Sequence, residues 1–135
     1  MRDNLIDILE GINHDLGGTL LHVNIPKYVD KILKFATIIS ISKKEKIIAF
    51  IAFYENDVDK NVAYLTMIAV CKDFWQNGYG KSLLEYSIYE ITKKGFDKYR
   101  LEVKEDNLKA IKLYENYGFK STEVVNGMIK MEKQL

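Results

Sequence analysis

The stretch FWQNGYGKSLL, residues 74–84, combines glycine, asparagine and lysine in the manner of loops that bind phosphate groups. An apolar run comes before it and helix-like apolar spacing follows it, so the sequence predicts a strand, a short loop and the start of a helix. The first N–H groups of a helix have no acceptor within the helix, and they form the positive end of its dipole. A diphosphate could bind to these groups, with Lys81 adding a positive charge.

Two standard nucleotide-binding loops do not fit this stretch. A Walker A loop needs a glycine where Trp75 stands, and the dinucleotide-binding fingerprint needs a third glycine at the place of Leu83. The residues alone leave two interpretations open. The stretch is either a diphosphate site without a magnesium-binding acid, or a strand-to-helix turn whose glycines only make the turn tight.

Glu102 is the first candidate for a general base. Leu101 and Val103 share one face of a predicted strand, which directs Glu102 to the other face together with Arg100. A carboxylate in this position could accept a proton from an amine. The alternative is an exposed strand carboxylate that pairs with Arg100 or another neighbour.

Tyr114 is a candidate proton donor. It follows Asn107 by nearly two helical turns, so both residues project along one stripe of a predicted helix. A phenol, whose ordinary pKa is about 10, stays protonated at neutral pH and can donate a proton or a hydrogen bond to a leaving group. Ala110 and Ile111 lie on the same stripe, and the alternative is therefore a core tyrosine whose hydroxyl bonds to a neighbour.

Composition and charge argue against several other classes of site and partner. Cys71 is the only cysteine, which excludes an intramolecular disulfide and a multi-cysteine zinc site. His14 and His22 lie far from it in sequence and lack the spacing of metal ligands, so we expect no metal and no cysteine nucleophile. With 20 Lys and Arg against 19 Asp and Glu, the chain has no overall charge to attract nucleic acid or an anionic membrane. No apolar run reaches the roughly 20 residues of a membrane span, and we expect a cytoplasmic protein.

Hydrophobic periodicity predicts the elements that position these residues, in the order α-α-β-β-β-α-β-α-β-β. The length of 135 residues, 47% of them apolar, indicates one domain over residues 1–135. The all-apolar run at residues 47–54 indicates a strand buried on both faces, and hence a sheet with helices on both sides. The predicted fold class is α/β or α+β with a mixed sheet. The element markers are Leu5, Ile8, Leu9 and Ile12 for the first helix, Pro26 for the second, Lys43–Lys46 and Asn126–Gly127 for hairpin turns, and Gly95 and Gly118 for helix ends.

Two segments, MIAVCKDFWQNGYGKSLL and NLKAIKLYENYGF, together resemble the signature segments of the GNAT superfamily of acetyl-CoA-dependent N-acetyltransferases. The resemblance covers about residues 47–135, in the order and at the separation usual for the family. It implies a GNAT-like acyl-CoA N-acyltransferase fold with a largely antiparallel sheet. It also implies that acetyl-CoA, as cosubstrate, donates its acetyl group directly to a primary amine of a small molecule or peptide, through a tetrahedral intermediate.

The resemblance also implies roles for individual residues. The loop amides would bind the coenzyme A diphosphate, and the backbone of Ile68 and Val70 would bind the pantetheine arm. Asn107 and Tyr114 would contact the coenzyme, with Tyr114 beside the sulfur as the acid. Glu102, within LEVKEDN, resembles the base of the ribosomal-protein N-terminal acetyltransferase branch. The loop residues concerned are Gln76, Asn77, Gly78, Tyr79, Gly80 and Lys81.

One position departs from the family pattern. The family prefers glutamine or arginine three residues before the first motif glycine, and this chain has Trp75 there. Because the loop binds mainly through its backbone, we expect coenzyme binding to survive this change. An alternative function is an acyl-CoA-binding regulatory or interaction module without turnover. The first forty residues carry no family signature, so the acceptor stays open, and the apolar C-terminal strand could pair across a homodimer.

Overall fold

The computed structural model of this chain describes residues 1–15 and 24–135, so His22 and the side chain of His14 lie outside the described part. The predicted order of helices and strands is confirmed, and a short 3₁₀ turn at Lys72–Phe74 adds to it. The helices are α1 (Arg2–Asp15), α2 (Ile25–Phe35), α3 (Tyr79–Lys93) and α4 (Leu108–Asn116). The strands are β1 (Thr37–Lys43), β2 (Lys46–Tyr54), β3 (Val62–Val70), β4 (Lys98–Lys104), β5 (Lys120–Val125) and β6 (Met128–Gln134).

The described strands form one six-stranded sheet in the order β1-β2-β3-β4-β6-β5. β3 and β4 pair in parallel, from Val62 opposite Lys98 to Leu65 opposite Leu101. β4 and β5 both pair antiparallel with β6, and the β5–β6 pairing contains an irregularity between Ser121 and Glu123. The prediction of a mixed, largely antiparallel sheet is confirmed. Because β6 lies between two strands, the C-terminal strand has no open edge for pairing across a dimer, and the homodimer stays a prediction.

The chain packs as two compact units, each with its own set of contacts. The first unit contains residues 1–52 and 67–86, and the second contains residues 53–66 and 87–135. The expectation of one domain over residues 1–135 stays a prediction. Among the described helices, none is long and apolar enough to cross a membrane.

The core of the first unit confirms the helical stripe that the sequence predicts for α1. All four apolar markers of α1 are buried, with exposed fractions between 0% and 8%, and they pack with Val29 and Ile32 of α2. Phe50 and Ala52 of β2 belong to the same cluster. α2 begins where Asn24 caps it, because the Asn24 side chain accepts a hydrogen bond from the Lys27 N–H at 3.0 Å.

Tyr99 of β4 is the largest fully buried side chain of the second unit. Its hydroxyl donates a hydrogen bond to Ser87 Oγ at 3.0 Å, and burial raises the pKa of the Tyr99 phenol. The ring packs against Phe53 and Phe119, with centroid distances of 6.4 and 5.6 Å. This aromatic core holds β4 so that its alternate residues, which include Glu102, face away from it.

Candidate functional site

The glycine-rich stretch forms a loop between β3 and α3, as the sequence predicts. After the 3₁₀ turn, the chain passes through two residues with left-handed backbone, Gln76 at φ 68° and Gly78 at φ 78°. The first helical hydrogen bond of α3 runs from the Ser82 N–H to the Gly78 carbonyl at 3.0 Å. The amides of residues 79–81 therefore have no acceptor within the helix, and they form an anion-binding geometry beside Lys81.

The first turn of α3 lies against the end of β3. A Cβ atom placed on Gly80 would be 3.7 Å from Ile68 Cγ2 and 3.9 Å from Val70 Cγ2, which is ordinary van der Waals contact. The approach of helix and strand therefore does not require glycine at position 80, and the structure brings Ile68, Val70 and the loop together within the first unit. Their roles in binding stay predictions.

The sequence did not indicate that Lys43, at the end of β1, belongs to this region. The rings of Phe74 and Tyr79, which flank the loop, have centroids 6.3 Å apart. Lys43 Nζ lies 5.3 Å from the Phe74 centroid and 5.6 Å from the Tyr79 centroid, within cation–π range of both. Sequence periodicity cannot predict that Lys43 lies near a loop about thirty residues away. Only the pairing of the strands brings the two together.

Glu102 is exposed, while Leu101 and Val103 are buried, so the predicted alternation along β4 is confirmed. Its alternative role as the partner of Arg100 is wrong. Arg100 Nε instead donates a hydrogen bond to Glu132 Oε2 on β6 at 2.7 Å, and this pairing lowers the pKa of Glu132. Among the described residues, none forms an ion pair with Glu102.

Glu102 opens onto a cleft of about 480 Å³ on the sheet face of the second unit. Tyr64 of β3 lines the same cleft, and the sequence analysis missed it. Burial and the negative charge of Glu102 raise the pKa of Tyr64 to about 12. The strand alternation could have found this tyrosine, since Ala63 and Leu65 on either side of it are buried. The other ionisable side chains of the cleft are Arg100, Glu123, Lys130 and Glu132.

Asn107 lies at the start of α4, and Tyr114 lies in its last turn. Asn107 caps the helix, because its side-chain oxygen accepts a hydrogen bond from the Ala110 N–H at 3.2 Å. Its amide group keeps two donors that this cap does not use. Tyr114 follows about 10 Å further along the helix axis, at 1.5 Å per residue. The cap is a structural role that the sequence analysis did not assign to Asn107, and coenzyme contact stays a prediction.

The Tyr114 side chain is half-buried, and its ring packs edge-to-face on Phe119 at a centroid distance of 5.7 Å. Burial raises the pKa of Tyr114 to about 12. The hydroxyl forms no hydrogen bond to another described residue. Among the described residues, the alternative interpretation of a core tyrosine with a bonded hydroxyl therefore has no hydrogen bond to support it.

Glu105 and Asp106 lie in the turn after β4.

Cys71 is half-buried in the first unit, and burial raises the pKa of its thiol, which lowers its reactivity as a nucleophile. Within residues 1–15 and 24–135, no group of three His, Cys, Asp or Glu side chains is arranged to hold a metal ion.

Residues 15–119 match the model of the Acetyltransferase (GNAT) family. The ribosomal protein bS18-alanine N-acetyltransferase of Escherichia coli strain K12 is 40% identical over 73 residues, which are 54% of this chain and 49% of that protein. This chain therefore spans about half the length of the relatives that it matches.

Two solved structures share the fold. The ribosomal-protein-S18-alanine N-acetyltransferase from Escherichia coli superposes with a TM-score of 0.73 at 26% identity, covering 86% of this chain and 79% of that one. The PaiA N-acetyltransferase from Thermoplasma acidophilum, solved in complex with coenzyme A, superposes with a TM-score of 0.81 at 21% identity. The match covers 99% of this chain and 92% of that one.

The two motif glycines should respond differently to alanine. Gly78→Ala should lower the free energy of unfolding by about 1 kcal/mol, because its left-handed φ of 78° disfavours a side chain. Gly80→Ala should be neutral or stabilising by up to about 1 kcal/mol, since alanine suits a helix and the new Cβ has room. Chemical denaturation of both variants measures the difference. Equal effects at the two positions would contradict the loop conformation.

Proposed function

The chain belongs to the GNAT family of acetyltransferases, and we propose that it binds acetyl-CoA and transfers the acetyl group to a primary amine. One observation carries the proposal: the loop between β3 and α3 presents amides without helical acceptors beside Lys81, within the segment that the family model matches. These amides and the helix dipole suit the diphosphate of acetyl-CoA. In this proposal the backbone of Ile68 and Val70, which lie beside the first turn of α3, receives the pantetheine arm.

Transfer proceeds by direct attack of a neutral amine on the thioester carbonyl. A tetrahedral intermediate forms, and its collapse makes the amide and releases the coenzyme A thiolate. Holding a lysine-like amine neutral at pH 7 costs about 4 to 5 kcal/mol, whereas an α-amine, whose pKa is about 8, costs only about 1 kcal/mol. A carboxylate base, directly or through water, suffices to remove the proton of such an α-amine.

Glu102 is the base in this proposal. It is exposed, it has no ion-pair partner among the described residues, and it faces a cleft large enough for the end of a peptide. Glu123 lines the same cleft and adds negative charge for an incoming ammonium group. Tyr64 stays protonated at neutral pH and can hydrogen-bond the acceptor, since its pKa is raised to about 12.

For the acceptor we infer the α-amine of a protein or peptide N-terminus. The relative that is 40% identical is named as an alanine N-acetyltransferase of a ribosomal protein. The low cost of deprotonating an α-amine fits a site whose base is an exposed carboxylate. Polyamines, aminoglycosides and amino sugars are the competing acceptors.

Binding of acetyl-CoA tests the loop assignment. Gly78→Asp should bind acetyl-CoA at least about tenfold more weakly than Gly78→Asn, because both side chains tolerate the left-handed backbone but only aspartate repels a diphosphate. Calorimetry measures both affinities, with Gly78→Asn as the control for the effect of a side chain at this position. Equal affinities in the two Gly78 variants would show that the diphosphate does not bind at this loop.

Acetyl-CoA consumption with a panel of peptide N-termini, polyamines, aminoglycosides and amino sugars tests turnover. Peptide N-termini should give the highest kcat/KM. If the protein binds acetyl-CoA tightly but none of these acceptors leads to its consumption, the protein is a binding module without turnover and not an enzyme.

Glu102→Gln should lower kcat near neutral pH, and the deficit should shrink as pH rises, because the acceptor amine then loses its proton unaided. A pH profile of kcat for the wild type and the variant measures this effect. Glu123→Gln, which removes the other free carboxylate of the cleft, is the control and should change KM for the acceptor more than kcat. A Glu102→Gln deficit that is absent or independent of pH would assign the base elsewhere.

Tyr114→Phe should lower kcat by about 100-fold if the phenol protonates the leaving thiolate, with acetyl-CoA affinity nearly unchanged. The free energy of unfolding should change by no more than about 0.5 kcal/mol, because the hydroxyl forms no hydrogen bond to another described residue. Tyr117→Phe, at the end of the same helix, is the matched control and should keep wild-type kcat. Normal turnover of Tyr114→Phe would show that another group protonates the leaving thiolate.

A further inference from the structure

Trp75 is the only tryptophan of the chain, and its indole N–H donates a hydrogen bond to the Val70 carbonyl at 2.7 Å. The backbone N–H of Trp75 also bonds back, to the Lys72 carbonyl at 3.1 Å, and the Phe74 N–H bonds to the Cys71 carbonyl at 2.9 Å. The short segment that leads from β3 into the loop is therefore closed by three hydrogen bonds. The indole bond is the only side-chain bond among these three.

The residue after Trp75 needs such an anchor. Gln76 has a left-handed backbone with φ 68°, a conformation that costs a non-glycine residue stability. No side-chain hydrogen bond holds Gln76 within the described part of the chain. Trp75, whose indole and backbone N–H groups are both hydrogen-bonded, stands immediately before it.

The other end of the loop is held independently. Tyr79 begins α3, and its ring approaches that of Phe74 while Lys43 Nζ lies over both rings at 5.3 and 5.6 Å. With both ends fixed, the loop amides keep their direction before any ligand arrives. A preformed site of this kind binds more tightly, because less ordering has to occur on binding.

We propose that Trp75 is a positioning residue for coenzyme A, and that its indole bond to the Val70 carbonyl holds the diphosphate loop in its binding conformation. Trp75 occupies the place where the family prefers glutamine or arginine, so this anchor belongs to the chain and not to the general motif. The inference rests on the proposed binding of acetyl-CoA at this loop. Trp75 acts through the backbone of residues 76–81 and not through a contact of its own with the phosphates.

Two variants separate the hydrogen bond from the ring. Trp75→Phe keeps an aromatic ring and removes the donor, and Trp75→Gln removes the ring and restores an N–H donor. Calorimetry should show that Trp75→Phe binds acetyl-CoA about fivefold more weakly than the wild type, the loss expected for one hydrogen bond. Trp75→Gln should bind within about twofold of the wild type. Coenzyme A itself should show the same pattern, since the acetyl group does not reach the loop.

Amide hydrogen exchange distinguishes a local effect on the loop from a general loss of stability. In the free protein, Trp75→Phe should speed exchange at the hydrogen-bonded amides of Phe74, Trp75 and Ser82, which flank the loop, while exchange in β2 and the midpoint of thermal unfolding stay near wild-type values. Because the chain has a single tryptophan, its one indole N–H signal in an NMR spectrum needs no assignment. That signal should exchange slowly in the free wild-type protein and shift when acetyl-CoA is added.

The outcomes distinguish this inference from the proposed function. If the wild type does not bind acetyl-CoA, the proposed function fails. If the wild type binds and Trp75→Phe binds equally well, or if both variants lose the same affinity, the indole hydrogen bond does not position the loop. A rapidly exchanging indole N–H in the free wild type would overturn the inference without any variant.

Discussion

The first turn of α3 cannot satisfy its own backbone amides, and the arrangement of the first unit depends on this constraint. The first hydrogen bond within the helix runs from the Ser82 N–H to the Gly78 carbonyl, so the amides before Ser82 need an acceptor from outside the helix. The rest of the unit keeps that turn in place. β2 is buried along its length, α1 and α2 pack in one cluster with it, and the first turn of α3 lies against the end of β3 at Gly80. Unsatisfied amides next to the end of a buried strand suit an anion, as the proposed binding of the diphosphate requires.

In the second unit, a single ion pair decides which carboxylate is free. Arg100 could pair with several acids on its face of the sheet, and it pairs with Glu132 on the neighbouring strand. Gln134 also donates a hydrogen bond to Glu132, at 2.9 Å, so this carboxylate is fully engaged. Glu102 is left without an ion pair among the described residues, while the buried Tyr99 and its aromatic neighbours fix the strand that carries it. The pairing thus engages Glu132 and leaves Glu102 available for the role proposed for it.

Most of the fold was predictable because it rests on local periodicity. The spacing of Leu5, Ile8, Leu9 and Ile12 marks a helix face in any context, and the all-apolar run of β2 marks a strand covered on both sides. The turn residues acted as expected too, since Asn126 and Gly127 both adopt the left-handed conformation that a tight hairpin needs. The 3₁₀ turn at Lys72–Phe74 was not predictable, because three residues are too few to show a hydrophobic periodicity.

The sequence by itself determined the elements, the strand–loop–helix unit around the glycines, and the residue types that could bind a diphosphate or move a proton. The tertiary structure alone decided how those residues are partnered. Arg100 and Glu132 are 32 residues apart, and only the order and register of β4 and β6 bring them together. Tyr64 joins Glu102 in one cleft because β3 pairs in parallel with β4. Periodicity fixes the face on which a side chain lies, whereas its partner depends on which strands are neighbours, and that depends on the packing of the whole chain.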